Sequence, residues 1–166
     1  MPNFLAARPA AVVLSLALAI AANQSTIREG HMANREGGCL CGQVRYTLKS
    51  EPVITAVCHC THCQKQSGGV FSTNLGVPEA AYEQRGQTKV FADKGDSGQP
   101  VLRHFCADCG SPILSKVAAM PGLVLVKAGT LDHMAGLTPT IEVYTDHAAA
   151  WVAAVPGAQR FAQGAG

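Results

Sequence analysis

The sequence predicts one mainly β domain with little helix. Two observations carry that expectation. The apolar residues fall in short runs bounded by Gly, Pro, Asp and Ser. Outside the N-terminal segment, no window keeps a 3.6-residue apolar period over three turns. A chain of 166 residues that is 48% hydrophobic is long enough to bury a single core without disulfides. Its 13 Lys and Arg and 11 Asp and Glu give a net charge of +2, and no run of like charge marks a nucleic-acid or membrane footprint.

Residues 1–31 are read apart from the domain. One basic residue, Arg8, precedes an apolar stretch over 10–22 that is too short for a bilayer-spanning helix, so stable membrane insertion is not expected. Ala19, Ile20 and Ala21 resemble a small-residue cleavage site, which would make this a secretory signal with a mature start near Asn23. Met32 offers a second start directly before the first cysteine pair. The thiol-rich domain favours that start and a reducing, cytoplasmic compartment; the alternative is export directed by residues 1–22.

Residues 32–152 form the expected β domain. Val44, Tyr46 and Leu48 alternate with Gln43, Arg45 and Thr47, the pattern of a half-buried strand. Further strands are expected at 53–57, 70–75, 88–92, 101–105, 112–117, 123–128 and 140–144. Short helical pieces are expected after Cys60 and around 78–82. The stretch 153–166 is rich in Ala and Gly with little to bury, and reads as a loosely ordered tail.

Seven cysteines lie in three groups: Cys39 and Cys41; Cys58, Cys60 and Cys63; Cys106 and Cys109. Tetrahedral zinc holds sulfurs at about 2.3 Å, hence roughly 3.8 Å from one another, so paired ligands must sit two or three residues apart on a bent backbone. All three groups meet that spacing. Gly37, Gly38, Gly42 and Gly110 flank the outer pairs and supply the freedom to bend. Cys39, Cys41, Cys106 and Cys109 make up a closed four-thiolate site, whereas Cys58, Cys60 and Cys63 have the ligand count of a catalytic site with one open position. Two other partitions remain at this point: Cys60, Cys63, Cys106 and Cys109 as a zinc-ribbon-like set, and a disulfide framework, which the odd total makes awkward. His59 and His62 lie inside the triplet and can either complete it or carry protons beside it. His31, His104, His133 and His147 have no partner visible in sequence.

Three motifs then carry a resemblance. They are Gly37-Gly38-Cys39-Leu40-Cys41-Gly42-Gln43-Val44-Arg45-Tyr46, Cys58-His59-Cys60-Thr61-His62-Cys63-Gln64-Lys65-Gln66-Ser67-Gly68, and Phe105-Cys106-Ala107-Asp108-Cys109-Gly110-Ser111-Pro112. In this order they resemble the glutathione-dependent formaldehyde-activating enzyme family, which includes centromere protein V, over about 37–151. The resemblance implies an Mss4-like β-tent of short antiparallel strands. It implies two zinc ions per chain, a structural one on Cys39, Cys41, Cys106 and Cys109 and a catalytic one on Cys58, Cys60 and Cys63. It also implies a carbon–sulfur lyase-type activity, the joining of glutathione and formaldehyde as S-(hydroxymethyl)glutathione, with the thiol and the aldehyde as partners. Three thiolates around a divalent ion leave a charge of −1, so an anionic thiol would need cations, for which Lys65, Arg45 and Arg103 are the sequence candidates. The alternative is a non-catalytic zinc-stabilised binding or scaffold module.

Overall fold

A computed structural model describes residues 34–165; the signal-like stretch, both candidate start residues and His31 lie outside them. The chain builds two sheets. The smaller has the order β1-β2-β5, from Arg35–Gly38 (β1), Arg45–Leu48 (β2) and Tyr82–Arg85 (β5). The larger has eight strands: Ile54–Cys58 (β3), Ser72–Pro78 (β4), Lys89–Lys94 (β6), Pro100–Phe105 (β7), Pro112–Val117 (β8), Leu123–Lys127 (β9), Ile141–Val143 (β10) and Gln159–Arg160 (β11). Their spatial order is β11-β10-β3-β4-β9-β8-β7-β6, which leaves β6 and β11 as edges. The mainly β architecture expected from the punctuated apolar runs is the one observed. No helix among the described residues is long and apolar enough to cross a membrane.

The core lies where the sheets face each other. Alternation on β2 buries Tyr46 and Leu48 and leaves Arg45 and Thr47 half-exposed, as a one-sided strand requires. With Val44 they pack against Leu75 and Val77 of β4, Leu114 of β8, and Val124 and Val126 of β9. Tyr46 and Tyr82 bring their rings to 5.5 Å at 30° on the small sheet.

Opposite residues on neighbouring strands point to the same side, so the register defines the other face of the large sheet. Cys58 pairs with Ser72, Asn74 with Lys127, Ser115 with Leu125, Arg103 with Ser115, and Phe91 with Arg103. Ser72, Asn74, Lys127, Ser115 and Arg103 on that face are all buried polar residues.

Four features differ from the expectations. Most pairings are antiparallel, but β10 runs parallel to both β3 and β11, because a long excursion through 128–140 brings it back beside β3 in the same direction. The small sheet gains β1 and β5, which apolar alternation could not signal: β1 reads Arg-Glu-Gly-Gly and β5 has one apolar residue in four. Its glycines serve close approach, since a Cβ on Gly37 would run into the Tyr46 hydroxyl and the Thr130 carbonyl. The tail read as loosely ordered carries β11 and is tied back by hydrogen bonds: Tyr144 N–H donates to Gln163 O at 3.1 Å and Phe161 N–H to Glu142 O at 2.8 Å. Around 78–82 the helical piece is a single 3-10 turn, Glu79–Ala81.

Candidate metal centre

The two cysteine pairs sit on tight turns at the ends of strands. Cys39 follows β1, and Gly42 at φ +79° lets its N–H reach Cys39 O at 3.1 Å. Gly110 at φ +75° repeats the device, donating to Cys106 O at 3.0 Å between β7 and β8; a Cβ would strain both. The turns face each other, with Leu40 N–H donating to Ser111 Oγ at 3.1 Å. Cys39 Sγ lies 3.4 Å from Cys41 Sγ, and Cys41 Sγ lies 3.6 Å from Cys106 Sγ. All four sulfurs fall within 4.8 Å of one another. Val44 N–H donates to Cys39 Sγ at 3.1 Å. Hydrogen bonds from the Ser111 hydroxyl and its backbone hold Cys109 down to about 5.

The second group is built differently. Cys58 ends β3, Cys60 caps the N-terminus of the helix Thr61–Ser67 (α1), and Cys63 lies in its first turn. Cys63 N–H donates to Cys60 Sγ at 3.4 Å, a sulfur version of a helix cap. Gly68 closes the helix in the left-handed region. The loop is fixed to β10 by His59 N–H donating to Val143 O at 3.0 Å. Gln64 Nε2 adds donations to His59 O at 2.8 Å and His147 O at 3.0 Å. The three sulfurs lie within 4.8 Å of one another, and among the described residues no fourth donor joins them.

Both sets fit a soft divalent cation: four clustered sulfurs suit a closed tetrahedral site, three an open one. None of the seven cysteines is disulfide-bonded, and the geometry gives neither a disulfide framework nor a zinc-ribbon set. Hydrogen bonds from Cys58, then Cys60, pull the Cys63 thiol down, and the sharing with Cys60 and Cys63 pushes Cys58 up.

The histidines separate. His59 is buried with its ring edge-on to Phe71 at 5.8 Å and Nε2 3.9 Å from Glu142 Oε1, outside the sulfur cluster. His62 Nδ1 is 2.8 Å from Asp93 Oδ2, which also accepts from Arg103 Nε at 2.7 Å. His62, Asp93 and Arg103 line a cavity of about 610 Å³ with Lys65, Gln66, Phe91, Phe105 and Gly110. Burial alone would lower the Arg103 guanidinium, but Asp93 and then the charge on Cys63 raise it, so this cation stands beside the triplet. Of the three cations proposed from sequence, Lys65 and Arg103 border the cavity. Arg45 does not: it is on the small sheet, bidentate to Asp132. Sequence reasoning passed over Asp93 and Lys127. Lys127 Nζ is buried and donates to Ser72 Oγ at 3.1 Å and Asn74 Oδ1 at 2.9 Å.

A two-sheet β domain bearing one four-sulfur and one three-sulfur cluster is a cysteine-rich fold whose clusters could hold metal ions. The family model described as glutathione-dependent formaldehyde-activating enzyme matches residues 34–147, and the chain belongs to that family. The chain is also similar to a crystal structure of a Rhodobacter sphaeroides protein, at 18% identity over 63% of this chain and 91% of that one, with a TM-score of 0.45. A comparison with curated proteins gave no match.

Proposed function

We propose that the protein is a zinc-dependent enzyme that adds the glutathione thiol to formaldehyde, giving S-(hydroxymethyl)glutathione, a carbon–sulfur lyase when the reaction runs backwards. The observation that carries this reading is the three-sulfur cluster, joined by no fourth donor among the described residues, with Arg103 between its Cys63 and a cavity of about 610 Å³. That volume lies within the roughly 300–1,000 Å³ usual for small-molecule sites. Family membership supports the choice of thiol and aldehyde.

Cys39, Cys41, Cys106 and Cys109 hold a structural ion on this reading, and Cys58, Cys60 and Cys63 hold the second. Bound there, zinc supplies Lewis-acid charge that stabilises a thiolate or polarises a carbonyl oxygen. The chain does the rest. Lys65 and Arg103 offer positive charge to the carboxylates of the tripeptide. Asp93 fixes the His62 ring and the Arg103 guanidinium at the cavity wall. The chemistry balances without an oxidant: a sulfur lone pair forms the S–C bond, the carbonyl π pair moves to oxygen, and the thiol proton ends on that oxygen.

Paired substitutions test the division of labour. Cys60→Ser is expected to lose one metal ion per chain and lower turnover by at least about hundredfold while the fold persists by circular dichroism. Cys109→Ser is expected to unfold the protein. Equal damage to folding from both would replace the enzyme reading by that of a zinc-stabilised scaffold.

A further inference from the structure

The polar face of the large sheet holds a charge that no part of the proposed reaction has used. Lys127 is 4% exposed, on the central strand β9. Its Nζ is bonded to Ser72 Oγ and Asn74 Oδ1, and Ser72 is the residue directly across from Cys58 in the β3–β4 register. Both bonds go to neutral acceptors. Among the described residues its side chain has no carboxylate partner. Burial lowers the Lys127 ammonium, and the sulfurs of Cys63, Cys58 and Cys60 act in the opposite direction. A buried ammonium without a counter-ion is costly, and the sulfur triplet is the negative group that it faces.

Arg103, on the same face through Ser115, is shared between Asp93 and the charge on Cys63, so Lys127 is the cation of this face with no carboxylate partner among the described residues. Three thiolates with a divalent ion sum to −1, and an anionic sulfur as fourth donor takes the centre to −2. Lys127 returns it to −1, whereas a neutral donor needs no such compensation. We propose that Lys127 is a positioning residue that makes the Cys58–Cys60–Cys63 centre accept an anionic sulfur in preference to a neutral ligand. This rests on the reading of the triplet as a metal centre.

The test uses zinc-loaded full-length protein, with 2-mercaptoethanol as a thiol that binds as its anion and lacks carboxylates, and imidazole as a neutral ligand. Lys127→Met is expected to weaken 2-mercaptoethanol binding by at least about tenfold, or about 1.4 kcal/mol, and to leave imidazole binding within about twofold. Lys127→Arg is expected to restore the thiol affinity. Should Lys127→Met fail to fold, Lys127→Gln carries the same comparison. Unchanged thiol affinity, or an equal fall for both ligands, overturns the inference while the metal centre stands. Wild-type protein that binds a single ion per chain, with the triplet empty, overturns the inference and the metal-centre reading together.

Discussion

Asp93 shows how one carboxylate organises a wall of the cavity. Burial pushes its carboxyl up, but hydrogen bonds with His62 and Arg103, joined by the Lys94 N–H, outweigh that and hold it at about 2. The folded value lies below the ordinary one of 3.8. Its contribution is therefore complete above about pH 4 and is lost as pH falls through the folded value. Asp93→Asn is expected to cost about 1 kcal/mol at pH 7, discounted for screening at a partly hydrated site. In urea unfolding followed from pH 7 to pH 3, the gap from wild type should begin to close below about pH 4. The cysteine groups were legible in the sequence because two- and three-residue spacings fix which neighbouring sulfurs can meet, while spacing left open which pair joins which. Asp93 and Lys127 were not, since each reaches the site through cross-strand register, which composition and spacing do not encode.

Among the elements, β10 and β11 show most clearly where sequence reading stops. The stretch after 152 has no apolar alternation, so nothing local announced a strand. Its order comes from Glu142, 1% exposed, which accepts from Val155 N–H at 2.9 Å and Arg160 Nε at 2.7 Å. Glu142→Ala strands those donors and is expected to cost about 2 kcal/mol. Because Arg160 is half-exposed, limited trypsin digestion should then cut at Arg160 faster than in wild type. Within β10 the ladder continues to Val143 opposite Cys58, so loosening the tail should also slacken the triplet loop. The eight strands read from apolar runs were found because each has a short apolar run between turn residues, even β6, which is almost wholly exposed. The short helix followed from the break after Cys60, and its cap by a sulfur was beyond what periodicity tells.

At the scale of the molecule, the four-sulfur cluster joins the end of β1 in the small sheet to the β7–β8 turn in the large one. A structural zinc contributes on the order of 10–16 kcal/mol of apparent binding energy, comparable to the about 5–15 kcal/mol of net stability that a domain has to lose. Stripping metal with a strong chelator is therefore expected to abolish the cooperative thermal transition, and calorimetry before and after re-addition of zinc measures it. Retention of the transition in fully metal-free protein would show that apolar contact between the sheets suffices. The mainly β character could be anticipated from strand punctuation, and the arrangement of the sheets only from the family resemblance that the cysteine motifs carry. The parallel return of β10 could not, because it depends on the path of 128–140 rather than on any strand's own residues.

Cys41 and Cys106 stand 65 positions apart in the chain, whereas Cys58, Cys60 and Cys63 lie within a single loop and helical turn. During synthesis at about 5–20 residues per second, all three sulfurs of the triplet are present as soon as their own stretch leaves the ribosome, although β10, which fixes their loop, follows later. The paired turns must wait several seconds more for their second half. Synthesis thus has a built-in order in which the sulfurs of the triplet are supplied first and those that bring the two sheets together are completed last.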